Sequence, residues 1–339
     1  MHKDKIYTGK FDEIFSYNSL MKSWLEFRNG KKRKDDVADF VLHLAKHIYD
    51  LKEEILKGIY RHGGYKYFKI REPKIRNIHK ATVRDRIIHH AIYRAVYSYF
   101  DRFFIFDSYS CRLDKGTHKA LARFESFSRK ESYNNTKTVW VLKGDIRKCF
   151  ASINHQILKQ IISRHIKCPK ILQIIHVVID SFTNGIPLGN LTSQLFINIY
   201  LNEFDQHVKR VLKVSKYIRY ADDFVIFSRD KKVLEGLIPE IKLFLTENLK
   251  LDLHPDKVSV KTMNSGVDFL GWVHFPKYRI LRRTTKIRMY QKIFPETKPE
   301  VVNSYFGLLS YGNTYKLKRN ILEGIAPDNE MIYNVKYEF

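Results

Sequence analysis

Residues 217–228 have the sequence YIRYADDFVIFS, and this stretch decides the fold of the chain. β-Branched and aromatic residues lie on both sides of Ala221-Asp222, which is typical of two strands joined by a tight turn. Asp tolerates the backbone geometry of turns, and the apolar flanks indicate that both strands are buried in a sheet. A purely solvated turn would gain nothing from such flanks, so the pattern predicts that Asp222 and Asp223 have a function.

Helices and strands are predicted in a regular order around this hairpin. The predicted elements are a strand at 138–142 ending at Lys143-Gly144-Asp145, helices at 154–164, 192–211 and 232–248, and closing strands at 258–260 and 267–271. Strand, helix, hairpin, helix and strand make a β-α-β-β-α-β pattern, which packs one antiparallel sheet against helices in an α+β fold. The first strand of such a sheet lies beside the hairpin, so Asp145 is predicted to meet Asp222 and Asp223.

Three carboxylates on adjacent strands suit phosphoryl transfer. That chemistry uses two divalent ions about 3.5–4 Å apart, which bridge the attacking and leaving oxygens. Mg²⁺ prefers carboxylates, waters and substrate phosphates as ligands. The pattern therefore predicts a two-metal site at Asp145, Asp222 and Asp223.

The composition indicates a polyanionic partner. Lys and Arg total 61 against 36 Asp and Glu, a net charge of +25, and 14% of the 339 residues are aromatic. Basic residues interleaved with aromatics suit a groove that follows phosphates and stacks bases. No apolar run approaches a membrane span, and the three cysteines have neither metal-pair nor disulfide spacing. We therefore expect a cytoplasmic protein that binds nucleic acid and no membrane.

The rest of the chain is predicted to be mostly helical. Helices are expected at 17–29, 35–60 and 82–104, with a basic hairpin at 65–78 and a basic, mainly helical segment beyond 276. The run Lys31-Lys32-Arg33-Lys34 is either a solvated loop or an RNA contact, and the net charge favours RNA contact.

Several motifs, taken together, resemble one family. Tyr-Ala-Asp-Asp at 220–223 resembles the catalytic turn of reverse transcriptases, and residues 145–153 (DIRKCFASI) are similar to their first catalytic motif. Residues 74–92 and 106–118 look like the fingers of bacterial enzymes related to group II intron reverse transcriptases. The resemblance implies a right-hand polymerase fold with an N-terminal extension and fingers at 1–138, a palm at 139–275 and a short helical thumb at 276–339. Residues 165–185 are expected to pack toward the fingers.

The stretch 186–194 (IPLGNLTSQ) refines the resemblance. Group II intron enzymes carry Pro-Gln-Gly where this chain has Leu188-Gly189-Asn190. That difference resembles the reverse transcriptases of diversity-generating retroelements, which copy a template repeat with errors at adenines. The resemblance implies template RNA, an RNA/cDNA duplex and dNTPs as partners, together with a pentameric accessory protein. The alternatives are a stand-alone group II-like or phage-defence reverse transcriptase and, from another class, a non-catalytic RNA-binding protein.

The resemblance also implies a role for each matching residue. Asp145 and Asp222 would bridge two Mg²⁺ ions, with Mn²⁺ as a substitute. Asp223 would support the site, and Ile146 would offer its main-chain carbonyl to the nucleotide-bound metal. Phe150 would be a steric gate that rejects a 2′-hydroxyl. The remaining implied roles are nucleotide binding by Arg76, by Lys69 or Lys74 and by Gln194, a fidelity pocket at Leu188, Gly189 and Asn190, and a primer grip at Leu270 and Gly271. Lys257 is left as either a functional group, which neutralises phosphate or acts as a general acid on pyrophosphate, or a surface lysine.

Overall fold

The computed structural model describes residues 6–71, 75–294 and 298–324. Its N-terminal helices are α1 (Phe11–Ile14), α2 (Tyr17–Arg28), α3 (Asp35–Leu42) and α4 (Leu44–Leu56). Ser16 starts α2 by accepting a hydrogen bond from the Ser19 amide at 3.2 Å, which satisfies one of the free amides of the first turn. Leu20, Trp24 and Phe27 recur at helical spacing and are buried, so α2 packs its apolar side inward.

The single helix predicted over 35–60 is wrong, because the chain breaks at His43. The φ of −127° and ψ of 32° at this residue lie outside the helical region. The ring of His47 packs on Phe40 at 4.4 Å, and its Nδ1 lies 3.2 Å from the Phe40 carbonyl. The break lets two helices bury separate apolar residues, which are Val37 in α3 and Ile48, Leu51 and Ile55 in α4.

The predicted basic hairpin is present as two exposed antiparallel strands, β1 (Tyr65–Ile70) and β2 (Arg76–Ala81). Helix α5 (Val83–Asp101) follows directly, as predicted, and Thr82 caps it by accepting a hydrogen bond from the Asp85 amide. Helix α5 packs on α2 and anchors the hairpin to the N-terminal helices. Helix α6 (Thr117–Glu131) comes next; the sequence analysis did not predict it.

The central sheet has four strands, β3 (Trp140–Asp145), β4 (Tyr217–Tyr220), β5 (Asp223–Ser228) and β6 (Ser259–Thr262). Their order is β4-β5-β3-β6, and every neighbouring pair is antiparallel. The segment between β3 and β4 contains α7 (Cys149–Ser152), α8 (His155–His165), α9 (Pro169–Asp180) and α10 (Leu191–Gln206). Helix α11 (Lys231–Leu249) connects β5 to β6. The predicted β-α-β-β-α-β arrangement is confirmed, with the first strand beside the hairpin.

The two faces of the sheet bury different partners. Side chains alternate along a strand, so Phe224 and Ile226 of β5 face the large core that includes α8, α10 and α11. Val225 and Phe227 face the smaller core, which contains α6 and the C-terminal elements. A sheet covered on both faces is rigid, and this holds the ends of its strands in place.

A second, three-stranded sheet follows the first. Its strands are β7 (Val267–Phe269), β8 (Trp272–His274) and β9 (Arg279–Leu281), so the predicted closing strand at 267–271 belongs to this sheet and not to the central one. The predicted palm–thumb boundary at 275 falls between β8 and β9. In the described part of the chain that follows, up to residue 324, the helices are α12 (Arg283–Ile293), α13 (Pro299–Leu309) and α14 (Tyr315–Leu322). Of the helices within the described ranges, none has both the length and the apolar character to cross a membrane.

Candidate active site

The β4–β5 turn places two adjacent carboxylates at one end of the central sheet. Tyr220 pairs with Asp223 across the hairpin, so Ala221 and Asp222 alone make the turn. Ala221 has a left-handed φ of 54°, a conformation that costs about 1–2 kcal/mol for a residue with a Cβ. The Asp222 carbonyl accepts a hydrogen bond from the Ile146 amide at 3.1 Å. The turn is therefore tied to the residue that follows β3.

Asp145 ends β3 directly opposite Asp223 of β5, and only 8% of its surface is exposed. Its carbonyl accepts a hydrogen bond from the His254 amide at 2.8 Å. Arg147 donates its amide to the Asp252 carbonyl, also at 2.8 Å. The main chain around Asp145 is thus held between β5 and residues 252–254, and the three predicted carboxylates lie at the same end of the sheet.

The three carboxylates are close enough to repel one another, and solvent reaches them poorly. Burial raises the pKa of the Asp222 carboxyl and the charge of Asp145 raises it further, while Lys257 opposes the shift. Burial also raises the pKa of Asp223 to about 6, against the opposing charge of Lys143 and with Asp222 and Asp145 adding to the shift. Clustered acids with raised pKa values gain from a bound cation, which favours their ionised forms.

The donor set fits divalent ions whose coordination is completed by substrate. Within residues 6–71, 75–294 and 298–324, no three His, Cys, Asp or Glu side chains converge as a protein-only metal cage would require. Mg²⁺ commonly takes one or two carboxylates from a protein and fills its shell with water and substrate phosphates. The Lys257 ammonium lies 3.0 Å from Asp145 Oδ1, so this carboxylate already attracts a cation. Asp145, Asp222 and Asp223 could therefore hold Mg²⁺ together with a nucleotide.

The hairpin of the predicted fingers brings the charge of one basic side chain, that of Arg76, near this site. Lys69 and Arg76 are exposed on β1 and β2, and Arg76 pairs in register with Ile70. The positive charge of Arg76 acts to lower the pKa of Asp222, so its guanidinium lies within electrostatic range of the turn. Lys74, the alternative to Lys69 as a triphosphate-binding lysine, lies outside the described residues.

Phe150 lies in the short helix α7, five residues after Asp145, and is half-buried. Its carbonyl accepts a hydrogen bond from the Ile186 amide at 2.8 Å. Gly185 has a φ of 66°, and a Cβ there would lie 2.2 Å from the Phe150 carbonyl oxygen. Only glycine fits this contact without movement. The loop that leads to residues 188–190 is therefore packed directly on the predicted steric gate.

The stretch Leu188-Gly189-Asn190 binds β2, a strand of the predicted fingers. The Leu188 carbonyl accepts a hydrogen bond from the His79 amide at 3.0 Å. The buried Asn190 amide donates to the His79 carbonyl at 2.9 Å and accepts from the Ala81 amide at 3.3 Å. A Cβ on Gly189, which has a φ of 108°, would lie 2.7 Å from Ile78 Cγ2. The predicted fidelity pocket is thus a junction between the predicted palm and fingers, and both polar groups of the Asn190 side chain already hydrogen-bond to β2.

This junction predicts the effect of Asn190→Ala. The substitution removes two hydrogen bonds to β2 and leaves the buried Ala81 amide and the part-buried His79 carbonyl unpaired, at a cost of about 1–3 kcal/mol. Since Arg76 is on the same strand, we expect the KM for dNTP to rise about tenfold, with a smaller change in kcat. Single-nucleotide incorporation kinetics measure both constants. Asn190→Asp keeps the acceptor for Ala81 but sets a buried carboxylate oxygen against the His79 carbonyl, so it should be at least as impaired as the Ala variant. Unchanged kinetics in a folded Ala variant would contradict the inference.

Two further predicted sites have distinct local structures. Gln194 is exposed in the first turn of α10, whereas Ser193 and Leu195 beside it are buried.

Leu270 and Gly271 form the tight β7–β8 turn with φ values of 50° and 85°. The Arg282 amide donates to the Gly271 carbonyl at 3.0 Å, which fixes this predicted primer grip to the start of α12.

The basic run after α2 divides into one structural and three exposed residues. The Lys31 ammonium donates to the Phe27 carbonyl at 2.9 Å and so binds the C-terminal end of α2. Lys32, Arg33 and Lys34 are exposed. These three side chains remain available for the predicted RNA contact.

Sequence reasoning missed the buried charges beneath the turn. Arg219 and Asp205 are both fully buried and form an ion pair. The signal was present in the sequence, because Arg219 is the one charged residue of the strand 217–220 and Asp205 lies near the end of a largely apolar helix. Lys257, which the sequence left with two interpretations, pairs with Asp145.

Comparison with known proteins agrees with this geometry. Residues 69–274 match the family described as reverse transcriptase (RNA-dependent DNA polymerase). Protein YkfC of Escherichia coli K12 is 26% identical over 287 residues, covering 72% of this chain and 73% of that protein. The group II intron-encoded protein LtrA of Lactococcus lactis is 23% identical over 288 residues, covering 63% of this chain. The chain spans 47% of the length of LtrA.

Solved structures of telomerase share the fold. Apo telomerase of Candida tropicalis truncated from its C-terminal domain superposes with a TM-score of 0.53 and 14% identity, over 65% of this chain and 55% of that one. A second structure of apo telomerase from Candida tropicalis gives the same TM-score at 12% identity, over 78% and 57% of the two chains. The expected right-hand polymerase fold is therefore confirmed. Because the family match covers more than half of the chain and includes the carboxylate turn, the chain belongs to the reverse transcriptase family and is related to the group II intron enzymes.

Proposed function

We propose that the chain extends a primer on an RNA template, using Asp145, Asp222 and Asp223 as the metal-binding residues. The observation that carries this proposal is the pairing of Asp145 with Asp223 across β3 and β5, with Asp222 in the adjoining turn. Two Mg²⁺ ions bound there would supply charge neutralisation for the attacking hydroxyl and the leaving pyrophosphate. The three carboxylates would hold these ions at the end of a rigid sheet.

Basic residues would place the nucleotide. The charge of Arg76 on β2 acts on Asp222, and its planar guanidinium suits both base stacking and phosphate contact. Lys257 lies 3.0 Å from Asp145, and its charge also acts on Asp222. A triphosphate bound at the carboxylates would meet the positive charge of both residues. We propose Lys69 and Gln194 as further nucleotide contacts, and Lys32, Arg33 and Lys34 as RNA contacts outside the cleft.

The finer proposal is a reverse transcriptase of a diversity-generating retroelement. It is supported by Leu188-Gly189-Asn190 in place of Pro-Gln-Gly, and by the position of this stretch between Phe150 and β2. A junction that contacts both the predicted sugar gate and the predicted fingers is well placed to control the fidelity of base selection. The proposal includes the small basic pentameric protein as a partner.

This proposal predicts an uneven error spectrum. On an RNA template with all four bases, misincorporation opposite adenine should exceed that at the other bases by about tenfold, a difference of about 1.4 kcal/mol in discrimination. Sequencing of cDNA made with and without the accessory protein of the element measures this. The internal control is the error rate at the other three template bases within the same reads.

A second candidate is a group II-like or phage-defence reverse transcriptase without adenine mutagenesis. The similarity to the group II intron-encoded LtrA favours it. Errors spread evenly over the template bases, with and without the accessory protein, would select this candidate and reject the retroelement proposal. Primer extension itself is required by both.

A further inference from the structure

A fully buried ion pair lies beneath the carboxylate turn. Arg219 of β4 and Asp205 of α10 have no exposed surface. Nε and Nη2 of the guanidinium donate to different oxygens of the Asp205 carboxylate, each at 2.7 Å. The Tyr217 hydroxyl donates to the same carboxylate at 2.7 Å. A bidentate pair of this kind fixes the orientation of the guanidinium plane.

The remaining donors of Arg219 reach other segments of the site. Nη1 donates to the Ala221 carbonyl at 3.0 Å. Nη2 also lies 3.2 Å from Ser108 Oγ, on the segment that runs beside β4. One guanidinium therefore binds α10, that neighbouring segment and the residue immediately before Asp222.

Stability alone is a poor explanation for this pair. Desolvating two charges costs several kcal/mol per ion, and well-packed apolar residues of similar volume are often as stabilising. Apolar residues could not supply the hydrogen bond to the Ala221 carbonyl. This bond acts on a residue with a left-handed φ, while the next carbonyl, that of Asp222, is held by the Ile146 amide. The two carbonyls of the turn are thus fixed from opposite sides.

We propose that Arg219 is a positioning residue that, through the Ala221 carbonyl, holds the Asp222 carboxylate in place against repulsion from Asp145. Asp205 orients the guanidinium for this task. A divalent ion arriving with a nucleotide then meets a preformed pair of carboxylates. The inference rests on the proposed polymerase function, since it assigns Arg219 a part in that site.

The test compares Arg219→Lys with a matched control. Lysine keeps a positive charge beside Asp205 but lacks the planar fork that binds the carboxylate and the Ala221 carbonyl together. The control is Tyr217→Phe, which removes a different hydrogen-bond donor to the Asp205 carboxylate. Tyr217 is as deeply buried as Arg219, but its hydroxyl does not contact the turn. If the lysine variant does not fold, the double variant Arg219→Met with Asp205→Asn takes its place in the test, because that variant leaves no unpaired buried charge.

We expect Arg219→Lys to lower kcat about 100-fold, because small misplacements of a reacting group have effects of this size. The Mg²⁺ concentration for half-maximal activity should rise about tenfold, and the dNTP KM should change by less than about threefold. Mn²⁺, which is bound more tightly, should restore part of the rate. A folded lysine variant with the same kcat and Mg²⁺ requirement as Tyr217→Phe would overturn the proposal.

Failure of the polymerase assignment would be visible separately. If the unmodified protein extends no primer with any divalent ion, the proposed function is rejected. Binding of Mn²⁺ to the protein, followed by electron paramagnetic resonance, still tests Arg219 in that case. Weaker Mn²⁺ binding in the lysine variant than in Tyr217→Phe would support the positioning role, and equal binding in both would reject it.

Discussion

Replacing Asp222 with asparagine is expected to lower primer extension on an RNA template by about a thousandfold, because metal ligands contribute several kcal/mol of transition-state stabilisation. The protein should nevertheless fold. Burial and the charge of Asp145 raise the pKa of the Asp222 carboxyl, so ionising this group opposes folding above its ordinary pKa. A neutral amide of the same size removes that cost. The metal-free variant should therefore unfold at the same temperature as the unmodified protein or at a higher one.

Two measurements separate lost chemistry from lost structure. Incorporation of dNTP with Mg²⁺ gives the activity, and thermal unfolding with and without Mg²⁺ gives the stability. Asp230→Asn is a matched control, because Asp230 caps α11 and is exposed in a part of the chain outside the carboxylate turn. Extension by Asp222→Asn within about tenfold of the unmodified protein would reject the two-metal assignment.

The central sheet was predictable because its signals are local. The strand 217–220, the turn and the strand beginning at 223 carry their own periodicity and turn chemistry. The β-α-β-β-α-β order then leaves few topologies, and the observed one places Asp145 beside Asp223. The convergence of the carboxylates followed from this order without knowledge of any contact.

Other features depended on partners distant in sequence. The helix break at His43 follows from packing, since residues 35–60 have continuous helical spacing. Asn190 was expected in a nucleotide pocket, but its amide binds β2, more than a hundred residues away in the chain. The pairing of Arg219 with Asp205 likewise depends on how α10 crosses the sheet. A single sequence contains the charged residues but not the contacts that pair them.

Replacing Phe150 with valine is expected to weaken the choice of deoxyribose over ribose by about 100-fold, which corresponds to about 2.7 kcal/mol. The half-buried ring sits in α7, and its main chain is fixed by the Ile186 amide at 2.8 Å. The close fit of Gly185 against the same carbonyl limits any retreat of α7. A smaller side chain therefore leaves space for a 2′-hydroxyl instead of shifting the backbone. Incorporation of dNTP should stay within about tenfold of normal.

The measurement is the ratio of kcat/KM for a dNTP to that for the matching rNTP on one RNA template. Phe103→Val is the control, because Phe103 is similarly half-buried but packs on Tyr99 and His165, away from the turn. Both variants lose comparable apolar packing, about 1–3 kcal/mol, so a general loosening of the fold would affect them alike. If selection against rNTP falls in Phe150→Val and not in Phe103→Val, the ring of Phe150 is the steric gate. An equal ratio in both variants would mean that the sugar is judged elsewhere, with Gln194 the next residue to replace.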